Sequence, residues 1–156
     1  MNDKIEKSNS VDSNSIINAN NVNTGAEDVN DEDIVNQNLT AEQKEVLFNK
    51  GTEPPFSGKF LNYHGNGIFV CANCGTELFD AKSKFESGSG WPSFYEAVDE
   101  KSIKTNTDKS HFMVRTEIMC STCGGHLGHV FNDGPQPTGL RYCVNSLALQ
   151  VKDKAK

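Results

Sequence analysis

The chain of 156 residues has no apolar run approaching the ~20 residues of a membrane-spanning helix, so no membrane association is expected. Positive charge is not in surplus either. The formal charge is -6, and residues 1–40 hold the whole imbalance with eight acidic and two basic side chains. The remainder carries thirteen of each sign. That balance excludes the basic stripe needed to neutralise nucleic-acid phosphates. The N-terminal segment lacks the apolar core of a secretory signal and the arginine-rich, acid-poor composition of a transit peptide. A cytoplasmic location, with thiols kept reduced, is therefore the expectation. Residues 1–38 contain no aromatic residue and no cysteine, but ten asparagines. Such a segment cannot offset its chain entropy by burial, and it reads as a disordered, acidic extension.

Order is expected from residue 39. Thr40 with Gln43 three positions later has the form of a capping box, Leu39 can staple onto the helix it opens, and Gly51 is placed to end it. Beyond the Pro- and Gly-rich TEPPFSG, short strands follow. KFLNY and GIFVC flank HGNG, which predicts a hairpin. In HFMVRTEIMC, Phe112, Val114, Thr116 and Ile118 alternate with Met113, Arg115, Glu117 and Met119, the period of a strand with two unlike faces. NSLALQV reads as a last strand, and glycine-bearing loops fill the rest. The fold class expected is a small, mainly β, antiparallel domain with one short N-terminal helix.

Four of the five cysteines form two tight pairs, Cys71 with Cys74 and Cys120 with Cys123. Each CxxC turn presents two sulfurs together, and two such turns complete a tetrahedral four-sulfur shell suited to zinc, with iron the competitor. The alternatives are two disulfides or redox-active pairs; a reducing compartment and the paired spacing favour structural zinc. Four thiolates leave no coordination position for water, so the ion's role would be to clamp the fold.

The fifth cysteine stands apart in GGHLGHVFNDGPQPTGLRYCVNS. Within this stretch lie His126, His129, Asp133, Arg141, Cys143 and Asn145. A lone cysteine is most often a small buried hydrophobe. Here a thiol, a guanidinium and two imidazoles fall close together, and fixed positive charge raises the thiolate fraction that makes sulfur nucleophilic. The HxxH spacing also permits metal ligation, but four cysteines already saturate one ion. His64 and His111 lie outside the cluster and read as loop and strand-end residues.

FESGSGWPSF, the two CxxC turns, HLGHVFNDGPQPTG and RYCVNS together resemble the B-type methionine-R-sulfoxide reductases over about residues 39 to 150, within a domain expected over residues 39–152. The resemblance implies two small antiparallel sheets, a zinc site away from the active centre, and reduction of the R epimer of methionine sulfoxide, free or in oxidised proteins. It implies Cys143 as nucleophile, and His126 and His129 as the pair that protonates the departing oxygen. Arg141, Asp133 and Asn145 would form the polar network around them, and Trp91 the wall that holds the substrate methyl group. Many family members carry a second, resolving cysteine before the WPSF motif. Ser89 stands there in this chain, so the sulfenic acid left on Cys143 is expected to be reduced by an external thiol, thioredoxin or a small thiol. A monomer is expected. Two rival readings remain: a non-enzymatic, zinc-clamped β module that binds a protein partner, and a thiol sensor.

Overall fold

The computed structural model describes residues 36–154. The extension read as disordered therefore lies outside the described residues, apart from Asn36–Asn38. Asn36 donates its side-chain amide to the Ala72 carbonyl at 3.0 Å, within the first CxxC turn.

Helix α1 spans Ala41–Asn49. Its capping box forms as expected: Gln43 N–H donates to Thr40 Oγ1 at 3.1 Å, and Thr40 N–H donates to Gln43 Oε1 at 2.9 Å. Leu39, Val46 and Leu47 are buried in the core. The helix ends differently from expectation. Lys50, not Gly51, takes the left-handed conformation (φ 60°), and Gly51 N–H then closes the turn onto the Glu45 carbonyl at 2.9 Å.

Among the described residues, nine strands form two antiparallel sheets. In the smaller, β1 (Ile68–Cys71) lies between β2 (Glu77–Asp80) and β9 (Leu149–Lys152). The larger has the order β3 (Lys84–Phe85), β4 (Ser93–Phe94), β8 (Arg141–Val144), β7 (His126–Phe131), β6 (Arg115–Cys120), β5 (Ile103–Asp108). Aromatic rings join the sheets. Phe94 of β4 stacks on Phe79 of β2 at 4.5 Å and meets Phe69 of β1 edge-on at 5.2 Å, and all three are fully buried.

Three strand expectations are corrected. NSLALQV is strand only from Leu149, because Ser146–Ala148 forms a 3-10 turn. KFLNY is not a strand, and no hairpin forms across HGNG; β1 pairs with β2 and β9 instead. The reason is local: Phe60 N–H is satisfied by the Ser146 hydroxyl at 3.2 Å, and the Leu61 carbonyl by Lys84 Nζ at 2.7 Å, so no ladder is needed. The strand read from His111 begins only at Arg115, because His111 and Phe112 both have positive φ (57° and 59°) in a 3-10 turn over Ser110–Phe112.

Candidate active site

The candidate site is built where β8 runs between β4 and β7. Cys143 stands opposite His129 of β7 on one side and Ser93 of β4 on the other. Gly128 makes this approach possible: a β-carbon there would lie 2.0 Å from the Cys143 carbonyl oxygen. His126 and His129 are three residues apart, which in a regular strand would put them on opposite faces. A register shift opposite Ile118 and Met119 takes up one residue and brings both rings to one side, with centroids 5.7 Å apart.

Each imidazole is held by a carboxylate that the sequence reading did not single out. His126 Nδ1 bonds Glu117 Oε2 at 2.7 Å, and both residues are buried. Glu117 Oε1 in turn faces Lys50 Nζ at 3.4 Å, from the end of α1. His129 Nε2 bonds Asp108 Oδ2 at 2.7 Å, and Arg115 pairs with the same oxygen at 3.3 Å. The backbone N–H of Ser110, then His129, holds the Asp108 carboxyl well below the usual range, so it is an acceptor and His129 Nε2–H the donor. Burial lowers the His129 pKa, and Asp108 opposes that. His126 Nε2 is buried with no hydrogen-bond partner among the described residues.

A cleft of about 280 Å³ opens over the thiol, lined by Trp91, Arg115, His129, Arg141, Cys143 and Asn145 among others. Trp91 is fixed by its indole N–H, which donates to the Glu53 carbonyl at 3.0 Å. Arg141 is clamped by Asp133 through two bonds, at 2.9 and 3.2 Å, and stacks over Phe131 at 4.3 Å. Asn145 is a strut: its amide donates to the Leu127 carbonyl at 3.0 Å, between the two histidines, and its oxygen accepts from Glu53 N–H at 2.9 Å. Of the sequence-predicted residues, His126 and Asp133 do not line the cleft; His126 bonds Glu117 and Asp133 bonds Arg141.

The thiol differs from the sequence expectation. Burial pushes its pKa up, while the Ser89 hydroxyl at 3.9 Å and the Arg141 charge pull it back only in part. The nearby cation is real, but desolvation outweighs it. Ser89 itself belongs to a hydroxyl cluster with Ser87 (2.9 Å), which also reaches Ser93 (2.7 Å).

The four remaining cysteines converge elsewhere. Their sulfurs all lie within 4.8 Å of one another, with Cys71–Cys123 at 3.6 Å and Cys74–Cys120 at 3.5 Å. None is disulfide-bonded. Tetrahedral zinc with sulfurs at about 2.3 Å spaces them about 3.8 Å apart, so the set fits a metal ion. Gly75 (φ 82°) and Gly124 (φ 78°) supply the left-handed residue that closes each turn.

A family model described as SelR domain matches residues 39–153. The chain belongs to the SelR domain family. Proteins named peptide methionine sulfoxide reductase MsrB resemble this SelR chain along most of their lengths. The one from Acinetobacter baylyi is 55% identical over 118 residues, 76% of this chain and 85% of the relative. That from Leptospira interrogans is 56% identical over 114 residues (73% and 87%), and that from Methanosarcina mazei 56% over 111 residues (71% and 79%). Among solved structures, the Mis18 "Yippee-like" domain shares 20% identity at a TM-score of 0.46, over 59% of this chain and all of that one, a distant likeness. No helix among the described residues is long and apolar enough to cross a membrane.

Proposed function

We propose that this SelR chain reduces the R epimer of methionine sulfoxide to methionine, with Cys143 as nucleophile and His129 as proton donor. The observation that carries the reading is the cross-strand pairing of Cys143 with His129 in a cleft that also holds Trp91 and Arg141. Trp91 is a surface for the S-methyl group, which packs well against an aromatic ring. Sulfoxide oxygen departs only when protonated, and an imidazole made more acidic by burial readily passes on a proton it receives. His129 keeps Nε2 on Asp108, which leaves Nδ1 to carry the proton.

A thiol of raised pKa fits this scheme. The free protein keeps Cys143 as a thiol; when substrate binds, its proton passes through His129 to the sulfoxide oxygen. The sulfur becomes nucleophilic as the oxygen becomes a leaving group. The Cys143 sulfur attacks the substrate sulfur and forms an S–S bond; as the S–O bond breaks the hydroxyl passes to Cys143, and the S–S bond is cleaved with its electron pair left on the methionine sulfur. Two electrons move from cysteine to substrate, giving methionine and a sulfenic acid. His126 and Asn145 order the β7 segment that presents His129, and Asp133 orients Arg141 toward the thiolate. Two equivalents of an external thiol, from thioredoxin or a small thiol, then release water and restore the cysteine. The four-cysteine site would hold zinc, outside the reaction. Residues 39–152 form the catalytic unit, residues 1–38 a dispensable extension, and the protein works as a monomer in the cytoplasm.

The decisive assay supplies each methionine sulfoxide epimer separately with dithiothreitol as reductant. Methionine should form from the R epimer alone, and Cys143→Ser should abolish its formation. Consumption of only the S epimer would refute the assignment.

A further inference from the structure

The cleft continues onto a surface that the chemistry above does not use. The connection between β5 and β6 is closed at its base by the cross-strand pair Asp108 and Arg115, ion-paired at 3.3 Å. Asp108 also holds His129, and Arg115 lines the cleft, so the loop is anchored to the reaction centre at both ends. At its tip Phe112 is 108% exposed, with Val114 at 76% and Met113 at 48%. A ring that exposed packs against nothing in the described fold. Phe112 also has a positive φ, an unfavourable conformation for a residue with a β-carbon. A second phenylalanine repeats the pattern. Phe56 has φ 64°, is 69% exposed, and its N–H donates at 2.7 Å to the carbonyl of Gly90, next to Trp91 of the cleft wall.

We propose that Phe112, Met113 and Val114, together with Phe56, form an apolar docking rim for the polypeptide that carries the oxidised methionine, contacting large apolar side chains beside it in sequence. Exposed apolar groups on a polar surface mark interaction sites, and the two segments each border the proposed catalytic cleft, residues 112–114 through Arg115 and Phe56 through Gly90 beside Trp91. A cleft of about 280 Å³ accommodates one side chain, so the rest of a polypeptide substrate must lie across its edge. Methionines buried in apolar segments are also the ones whose oxidation disrupts packing and exposes their neighbours. The inference rests on the reductase reading above.

The test uses the full chain with dithiothreitol and three substrates: free L-methionine-R-sulfoxide, a peptide with the sulfoxide flanked by Leu and Phe, and one flanked by Gly and Ser. Phe112→Gly suits the purpose, because glycine adopts the left-handed conformation without strain and the variant should fold at least as well. The wild-type chain should prefer the apolar-flanked peptide. The variant should lose about fivefold to tenfold in kcat/KM on that peptide, through KM, with kcat kept and free methionine sulfoxide unaffected by comparison. An equal loss on all three substrates, or no wild-type preference, would overturn the proposal. So would a gain on the apolar-flanked peptide, which would mean that the chain's own N-terminal segment or a second copy covers the rim. A wild-type chain inactive on all three would sink the reductase reading itself, and this inference with it.

Discussion

At the residue scale, the balance of burial against charge at Cys143 sets its reactivity. Only the thiolate alkylates, so iodoacetamide labelling of Cys143 in the free protein should rise with pH through a midpoint above the ~8.5 of an ordinary thiol. Arg141→Ala removes the cation that lowers the value and should move the midpoint higher still; peptide mass spectrometry of the Cys143 fragment reads both. A neutral midpoint would contradict the desolvated thiol. Ser89 invites the reverse experiment. Its hydroxyl is 3.9 Å from the Cys143 sulfur, so Ser89→Cys should form a disulfide after one substrate equivalent, seen as a loss of two hydrogens in the intact mass. Glu117→Gln keeps a hydrogen-bonding group but removes the buried charge between His126 and Lys50. It should lower kcat about tenfold or more with KM little changed; an unchanged kcat would assign Glu117 to the fold alone. Cys143, His129 and Arg141 stand out in the sequence as chemically distinctive residue types at short spacings, and one cleft brings them together; Trp91, distant in sequence, is picked out only by the family resemblance. Glu117 and Arg115 left a faint trace, as charges alternating along a strand that ends in a metal turn. Asp108 left none, since only the pairing of β5 with β6 brings it to His129.

Elements show where pattern reading works and where it fails. The capping box of α1 was readable because both partners lie within one turn. The hairpin at KFLNY failed because backbone groups of Phe60 and Leu61 are satisfied by Ser146 and Lys84, side chains far away in sequence. Strands β7 and β8, which carry the site, were hidden by the glycines and prolines of the loop between them. One of those glycines is a packing requirement. Gly128→Ala would drive a methyl group into the backbone of β8, 2.0 Å from the Cys143 carbonyl, and neither strand can yield without breaking the ladder. The variant should lose about 3 kcal/mol or more in urea unfolding. An alanine variant of native stability would show that β7 and β8 lie farther apart.

For the whole molecule, the four-sulfur cluster joins two hairpins. Cys71 ends β1 of the small sheet and Cys120 ends β6 of the large one, and each tight turn adds its second cysteine. A bound ion would therefore cross-link the two sheets at the edge of the core that Cys71 and Cys120 join. Elemental analysis should find one zinc per chain. Its removal by a strong chelator should produce a cooperative loss of tertiary structure, with activity falling in step rather than first. Activity that vanished while the near-ultraviolet dichroism stayed intact would place the ion in the reaction instead. The central position of β8 has a final consequence. A sulfur carried, like that of Cys143, on a strand hydrogen-bonded along both edges has no freedom to swing outward. Whatever regenerates it must present a protruding sulfur slim enough to enter the depression over Trp91. Shape would then select among thiol donors before their potential matters.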